Sequence, residues 1–101
     1  MRVALTPDQA TLRVSIDGAP PGSTATVLLG GRRCATHVLV ATDSELTVDI
    51  RGCRSARAGE DVTVSVAPRG HPAEQWTVEA ERLFAKVDEM MRGAVIATKI
   101  P

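Results

Sequence analysis

Tyrosine and asparagine are missing from this 101-residue chain, and tryptophan and phenylalanine occur once each. Aromatics at 2% leave almost no rings on which bases of a single strand can stack. Sugar faces are commonly held on such rings too, so a lectin role is weakened. Trp76 is one platform left for a sugar, but the lone tryptophan of a small domain belongs more often to its core. A surplus of either charge is also missing. Lys plus Arg is 12 and Asp plus Glu is 12, so the chain carries no basic footprint for nucleic acid or an anionic membrane. No apolar run approaches the roughly eighteen residues of a transmembrane helix. The opening stretch, Met1 to Asp8, contains no apolar signal core, which predicts a chain that is not exported by a leader. Hydrophobic residues at 44% and charged ones at 24% are too apolar for disorder and too polar for a membrane protein. The length suits one domain with a modest core.

The composition also has a direction. Gly, Ala, Arg and Pro supply 38 residues, whereas Phe, Tyr, Met, Ile, Asn and Lys supply 10. The first group has GC-rich codons and the second AT-rich ones. This skew predicts a GC-rich genome, such as that of a high-GC bacterium or of a phage growing in one.

Period-two alternation fills the first eighty residues. Leu12, Val14 and Ile16 alternate with Arg13, Ser15 and Asp17. Ala25, Val27 and Leu29 alternate with Thr24, Thr26 and Leu28. Leu46, Val48 and Ile50 alternate with Thr47, Asp49 and Arg51, and Val62, Val64 and Val66 with Asp61, Thr63 and Ser65. Such rows predict half-buried antiparallel strands. Arg33 to Thr42 is apolar on both faces around Leu39, which predicts either a central strand or one whose outer face meets something else. Asp17 to Gly22, Gly30-Gly31, Asp43-Ser44, Ala58 to Glu60 and Pro68 to Pro72 supply the breaks between runs. Short strands at this spacing predict a β-sandwich rather than βαβ units.

The segment Pro72 to Arg92 admits two readings. Ala73, Trp76, Ala80, Leu83, Val87 and Met90 fit one long helical stripe. Trp76, Val78 and Ala80 also alternate like a last strand. The favoured expectation is a strand over about Gln75–Glu81 and a helix over about Arg82–Arg92, followed by an extended tail.

The order of these elements resembles bacterial immunoglobulin-like and fibronectin-III-like domains. The similar pieces are Thr11 to Gly18 followed by Ala19-Pro20-Pro21-Gly22 and Thr24 to Leu28. Asp61 to Pro68, Gly70-His71-Pro72 and Trp76-Thr77-Val78 look like the last hairpin of such modules. The resemblance covers about residues 1–81 and implies an all-β, immunoglobulin-like antiparallel sandwich. Residues 82–101 then form a short C-terminal helix and a docking tail. Two features depart from antibody-type domains. Trp76 comes late, and the two cysteines are too close in sequence for the usual bridge between sheets. Such domains mostly bind, space or decorate, and no catalytic residue carries over.

The search for chemistry is correspondingly short. The histidines are His37 and His71, and no nucleophile elbow, phosphate loop or dinucleotide fingerprint occurs. No enzyme and no cofactor is predicted. Cys34, His37, Cys53 and His71 are zinc-type ligands, but Cys34 and His37 lie an odd number apart in a predicted strand and point to opposite faces. No metal is therefore predicted. A turn centred on Asp43-Ser44 sets Ala41 against Leu46, Leu39 against Val48 and Cys34 against Cys53. Opposed strand residues lie about 4.5–5.5 Å apart, within disulfide range. The absence of an export signal argues against oxidation, so a Cys34–Cys53 disulfide and two neighbouring thiols both remain open.

The candidate partner contacts are of two kinds. Arg51, Arg54 and Arg57, with Arg32 and Arg33 nearby, are suited to grip carboxylates through guanidinium forks or else form a solvated loop. Leu83, Phe84, Val87, Met90, Met91, Val95, Ile96 and Ile100 place a large apolar load outside the sandwich. They predict a docking extension that adds to a neighbour's sheet edge. The expectation is a structural or interaction protein: a phage virion component assembled in the host cytoplasm, as a capsid decoration or minor tail protein. The alternative is an adhesin-type or carbohydrate-binding module at a cell surface. Partners are other protein subunits in a homo- or hetero-oligomer, without nucleic acid or membrane.

Overall fold

Residues 1–8, 11–49, 60–79, 82–83 and 93–101 are described by the computed structural model. Their alternating rows build two antiparallel sheets. One contains β1 (Arg2–Pro7), β2 (Thr11–Asp17), β5 (Asp43–Asp49) and β8 (Val95–Ile96), in the order β5-β2-β1-β8. The other contains β3 (Thr24–Leu29), β4 (Arg32–Val38), β6 (Asp61–Ala67), β7 (Glu74–Glu79) and β9 (Thr98–Lys99), in the order β4-β3-β6-β7-β9. The described residues therefore form a mostly antiparallel, sandwich-like all-β arrangement of two sheets. Leu12, Val14 and Ile16 of the first sheet share one core with Val62, Val64 and Val66 of the second. Burying such side chains stabilises by roughly 1.5–3 kcal/mol each. Trp76 joins this core at 4% exposure, so a sheet face built of aliphatic side chains needs only one ring. Strand β1, which the sequence reading did not single out, adds Val3 and Leu5.

Four expectations are corrected. The hairpin between Arg33–Thr42 and Glu45–Gly52 does not form. Strand β4 pairs with β3 and strand β5 with β2, in opposite sheets. Asp43-Ser44 is the start of β5 and not a turn centre. The residues between them carry the chain from one sheet to the other, and Leu39 is the plug of that crossing, fully buried. Its amide donates to Ser23 at 2.8 Å, and its carbonyl accepts from Gly22 at 2.7 Å. Second, among the described residues β4 is the last strand of its sheet, so of the two readings of this stretch the central strand is not the one formed. Val38 and Val40 are exposed at 54% and 84%.

Third, the register that opposed Cys34 to Cys53 falls with the hairpin. Cys34 is nevertheless disulfide-bonded, and the chain's other cysteine, Cys53, lies outside the described residues. The β3–β4 ladder shows how Cys34 is aimed. Val27 pairs with Ala35 and Leu28 with Arg33, so Cys34 is the extra residue of a bulge. A bulge breaks strand parity, and both Cys34 and Ala35 pack against the core. Fourth, the tail has partners in its own domain. Val95 and Ile96 pair with Leu5 and Ala4 of β1, and Thr98 and Lys99 with Thr77 and Trp76 of β7. Val95 and Ala97 are buried, because a short strand on each sheet satisfies the tail's backbone more cheaply than an exposed apolar segment.

The predicted strand over Gln75–Glu81 is present as β7. Of the helix expected over Arg82–Arg92, only Arg82 and Leu83 are among the described residues, both in helical conformation. The β3–β4 turn is the Gly30-Gly31 pair, with φ of 58° and 82°. This is the left-handed geometry that a two-residue hairpin requires. A Cβ on Gly30 would also lie 2.6 Å from the Glu60 carboxyl group.

Leu39→Ala should lower stability by about 2–5 kcal/mol, as emptied core sites do, with an unchanged denaturant slope in urea unfolding. Reduction of the disulfide should cost about 3 kcal/mol, the chain-entropy value for a loop of about 20 residues, read as a lower urea midpoint in dithiothreitol.

Candidate interaction surface

The pairings bring three loops and both chain ends to one end of the sandwich. Asp17 pairs with both Arg2 and Asp43, and Thr24 with both Val38 and Ala67. The loops 18–23, 39–42 and 68–73 therefore share that end with Met1. Ile100 arrives there too, its amide donating to Gln75 at 2.8 Å. Five of the six prolines sit here, Pro20, Pro21, Pro68, Pro72 and Pro101, and each fixes its φ.

Hydrogen bonds tie these loops down. The Ser23 hydroxyl donates to the Pro20 carbonyl at 2.6 Å and the Ser23 amide to the same carbonyl at 3.2 Å. The Gly18 amide donates to Thr42 at 3.0 Å. The His71 amide closes a turn on Pro68 at 3.1 Å, with Gly70 at a φ of 77°. The Arg69 side chain lies beside Gly22. Between the loops runs an open groove of about 460 Å³, lined by Met1, Pro20, Pro68, His71, Pro72, Ala73 and Glu74. Its walls are mainly apolar, with an imidazole and a carboxylate at the rim. Rigid walls suit binding, since little chain entropy is lost on contact.

One ion pair fastens the tail beside this groove. Lys99 Nζ donates to Glu74 Oε1 at 2.8 Å and stands 5.9 Å from the Trp76 ring centre. The hydrogen bond from Lys99 holds the Glu74 carboxyl below the usual range. The charges of Lys99 and the N-terminal amine add to this, while partial desolvation opposes it.

The residues singled out from sequence separate into three groups. Leu83 and Val95 belong to the core and offer nothing to a partner. Ile96 and Ile100 are exposed on the tail, and Cys34 is half-buried on β4. Arg51, Cys53, Arg54, Arg57, Phe84, Val87, Met90 and Met91 lie outside the described residues. Among the described residues, no three His, Cys, Asp or Glu side chains converge as metal ligands. No helix among them is long and apolar enough to cross a membrane. Sequence reasoning missed the groove. The available signal was the clustering of prolines in two turns that the strand pairing brings together. No protein-family model, curated protein or solved structure matches this chain.

The Glu74–Lys99 pair carries a pH signature. A carboxyl whose folded pKa is depressed stabilises the fold fully above its unfolded pKa, and loses that contribution as pH falls through the folded value. An NMR titration should place the Glu74 midpoint below that of an ordinary glutamate. In Lys99→Met the midpoint should return toward the ordinary range, and the Ile100 amide should lose protection from exchange.

Proposed function

We propose that this chain is a non-enzymatic structural or interaction module, an immunoglobulin-like sandwich that docks through its proline-fixed loop end. The groove between Pro20, Pro68, His71 and Pro72 carries this reading. It is an apolar, preorganised concavity on loops held by a rigid scaffold, where binding residues concentrate. The strand order supports the immunoglobulin-like part. The first seven strands divide as β5-β2-β1 and β4-β3-β6-β7. That division corresponds to the immunoglobulin arrangement with the fourth strand moved beside the third.

In its most specific form the module is a phage virion component, a capsid decoration or minor tail protein. The GC-skewed composition and the neutral, sandwich-forming chain support that form. A second reading, an adhesin-type module at a cell surface, is supported by the disulfide at Cys34, which suits an oxidising setting outside the cell, although a virion surface is such a setting too. The carbohydrate-binding form of that alternative has less support, since Trp76 is used in the core.

Pro20→Glu places a charge in the groove without touching the core. In lysates of the source organism or its phage, the wild-type chain should cosediment with particles or with the cell-surface fraction. The folded variant should stay in the supernatant. A variant that cosediments as well as the wild type sinks the reading. The fraction that retains the wild-type chain separates the two forms.

A further inference from the structure

The chemistry of the loop-end groove narrows what it can hold. Three of its seven lining residues are prolines, Pro20, Pro68 and Pro72, and its polar side chains are His71 and Glu74. All seven are among the described residues. Asp8, Asp49, Glu60 and Glu79, next to which the described chain breaks off or resumes, lie at the opposite end of the sandwich. Resting on the docking reading above, we infer that the groove receives an aromatic side chain with a donor at its tip, tyrosine or tryptophan, from a different protein. The ring lies against the proline rings, and the O–H or N–H donates to the Glu74 carboxylate.

The walls select a ring. Pyrrolidine rings are apolar and rigid, and their C–H bonds beside nitrogen carry partial positive charge. The face of an aromatic ring is negative, so the two attract beyond the burial of area. The same pairing operates where proline-rich segments dock on aromatic-lined grooves. Here the prolines form the wall. Both loops are fixed before a partner arrives. The Pro20 carbonyl accepts from the Ser23 hydroxyl and amide, and the Pro68 carbonyl from the His71 amide. A flat side chain with two torsions loses little freedom on entering such walls.

The rim selects the tip. Lys99 donates to Glu74 Oε1, and Oε2 has no hydrogen-bond partner among the described residues. The His71 imidazole has none among them either. An apolar groove that ends at a free acceptor suits an apolar body with a donor at its end. Leucine and phenylalanine lack the donor. Arginine and lysine carry it, but Lys99 and the N-terminal amine already act on this carboxylate, and a further cation meets their repulsion. A second copy of this chain does not supply the ring. It has no tyrosine, and its single tryptophan is buried in the core. The partner is therefore another protein with an exposed tyrosine or tryptophan, residue types enriched at interface hot spots.

The test titrates N-acetyl-tyrosinamide into the full, oxidised, isotope-labelled chain and follows it by NMR. Ring-current shifts at Pro20, Pro68 and Ala73 should saturate with a midpoint in the millimolar range, as suits one side chain. N-acetyl-tryptophanamide should compete for the same site. N-acetyl-phenylalaninamide should bind about fivefold more weakly, the net worth of one hydrogen bond. The leucine and arginine amides should bind more weakly still. Glu74→Ala should erase the preference for tyrosine over phenylalanine while the ring-current shifts persist. Lys99→Met loosens the tail but keeps the carboxylate, so it should keep that preference and admit the arginine amide. Absence of saturating shifts at these residues overturns the inference. So does a leucine amide that binds as well as the tyrosine one, or a preference that survives Glu74→Ala. Such a failure with cosedimentation still dependent on Pro20 removes the aromatic partner and leaves loop-end docking standing. Cosedimentation indifferent to Pro20→Glu removes both.

Discussion

Each sheet has one apolar face, and only the other sheet can cover it. Nearly everything else in the structure follows from that constraint. A strand's side chains alternate, so a slip of one residue would expose Leu12, Val14 and Ile16 and bury Arg13 and Ser15. The connections must therefore change sheets without shifting parity. Leu39 does this between β4 and β5, and Ala97 does it between β8 and β9. Both are buried where the chain crosses. Where parity is broken, at the bulge, the disulfide-bonded Cys34 occupies the extra position.

The interior strands were legible because each has one wet face. The rows of β2, β3 and β6 stand out as alternating apolar and polar residues, and their core positions follow directly. Strand β1 is harder to see. Its inward Val3 and Leu5 alternate with Ala4, which has little polarity to mark the outer face. The crossing at Leu39 was misread for a physical reason. A polar pair such as Asp43-Ser44 looks the same whether it ends a hairpin or opens a strand in the opposite sheet. The informative signal was Val38-Leu39-Val40, three apolar residues in a row, of which only the middle one is buried.

The tail shows a different limit. Two-residue strands have no period to detect, and which sheet edge they join depends on tertiary structure. Lys99 is one of two lysines in the chain, and nothing in its local sequence points to Glu74, 25 positions away. The groove at the loop end shares this property. Its prolines are visible one by one, but their convergence depends on the pairing of Thr24 with Ala67 and of Arg2 with Asp17. Local chemistry shaped the walls, and sheet topology made them a surface.

Met1 and Pro101 flank the same glutamate, Glu74, at one end of the sandwich. Strand β1 runs away from that end, and β8 and β9 run back toward it. Tension applied between the two ends would thus pull β1 and the tail apart from their open side. Hydrogen bonds in an antiparallel ladder lie across the strands, so they would break one after another instead of all together in shear. A sandwich threaded this way is a poor spring in a tethered string of modules.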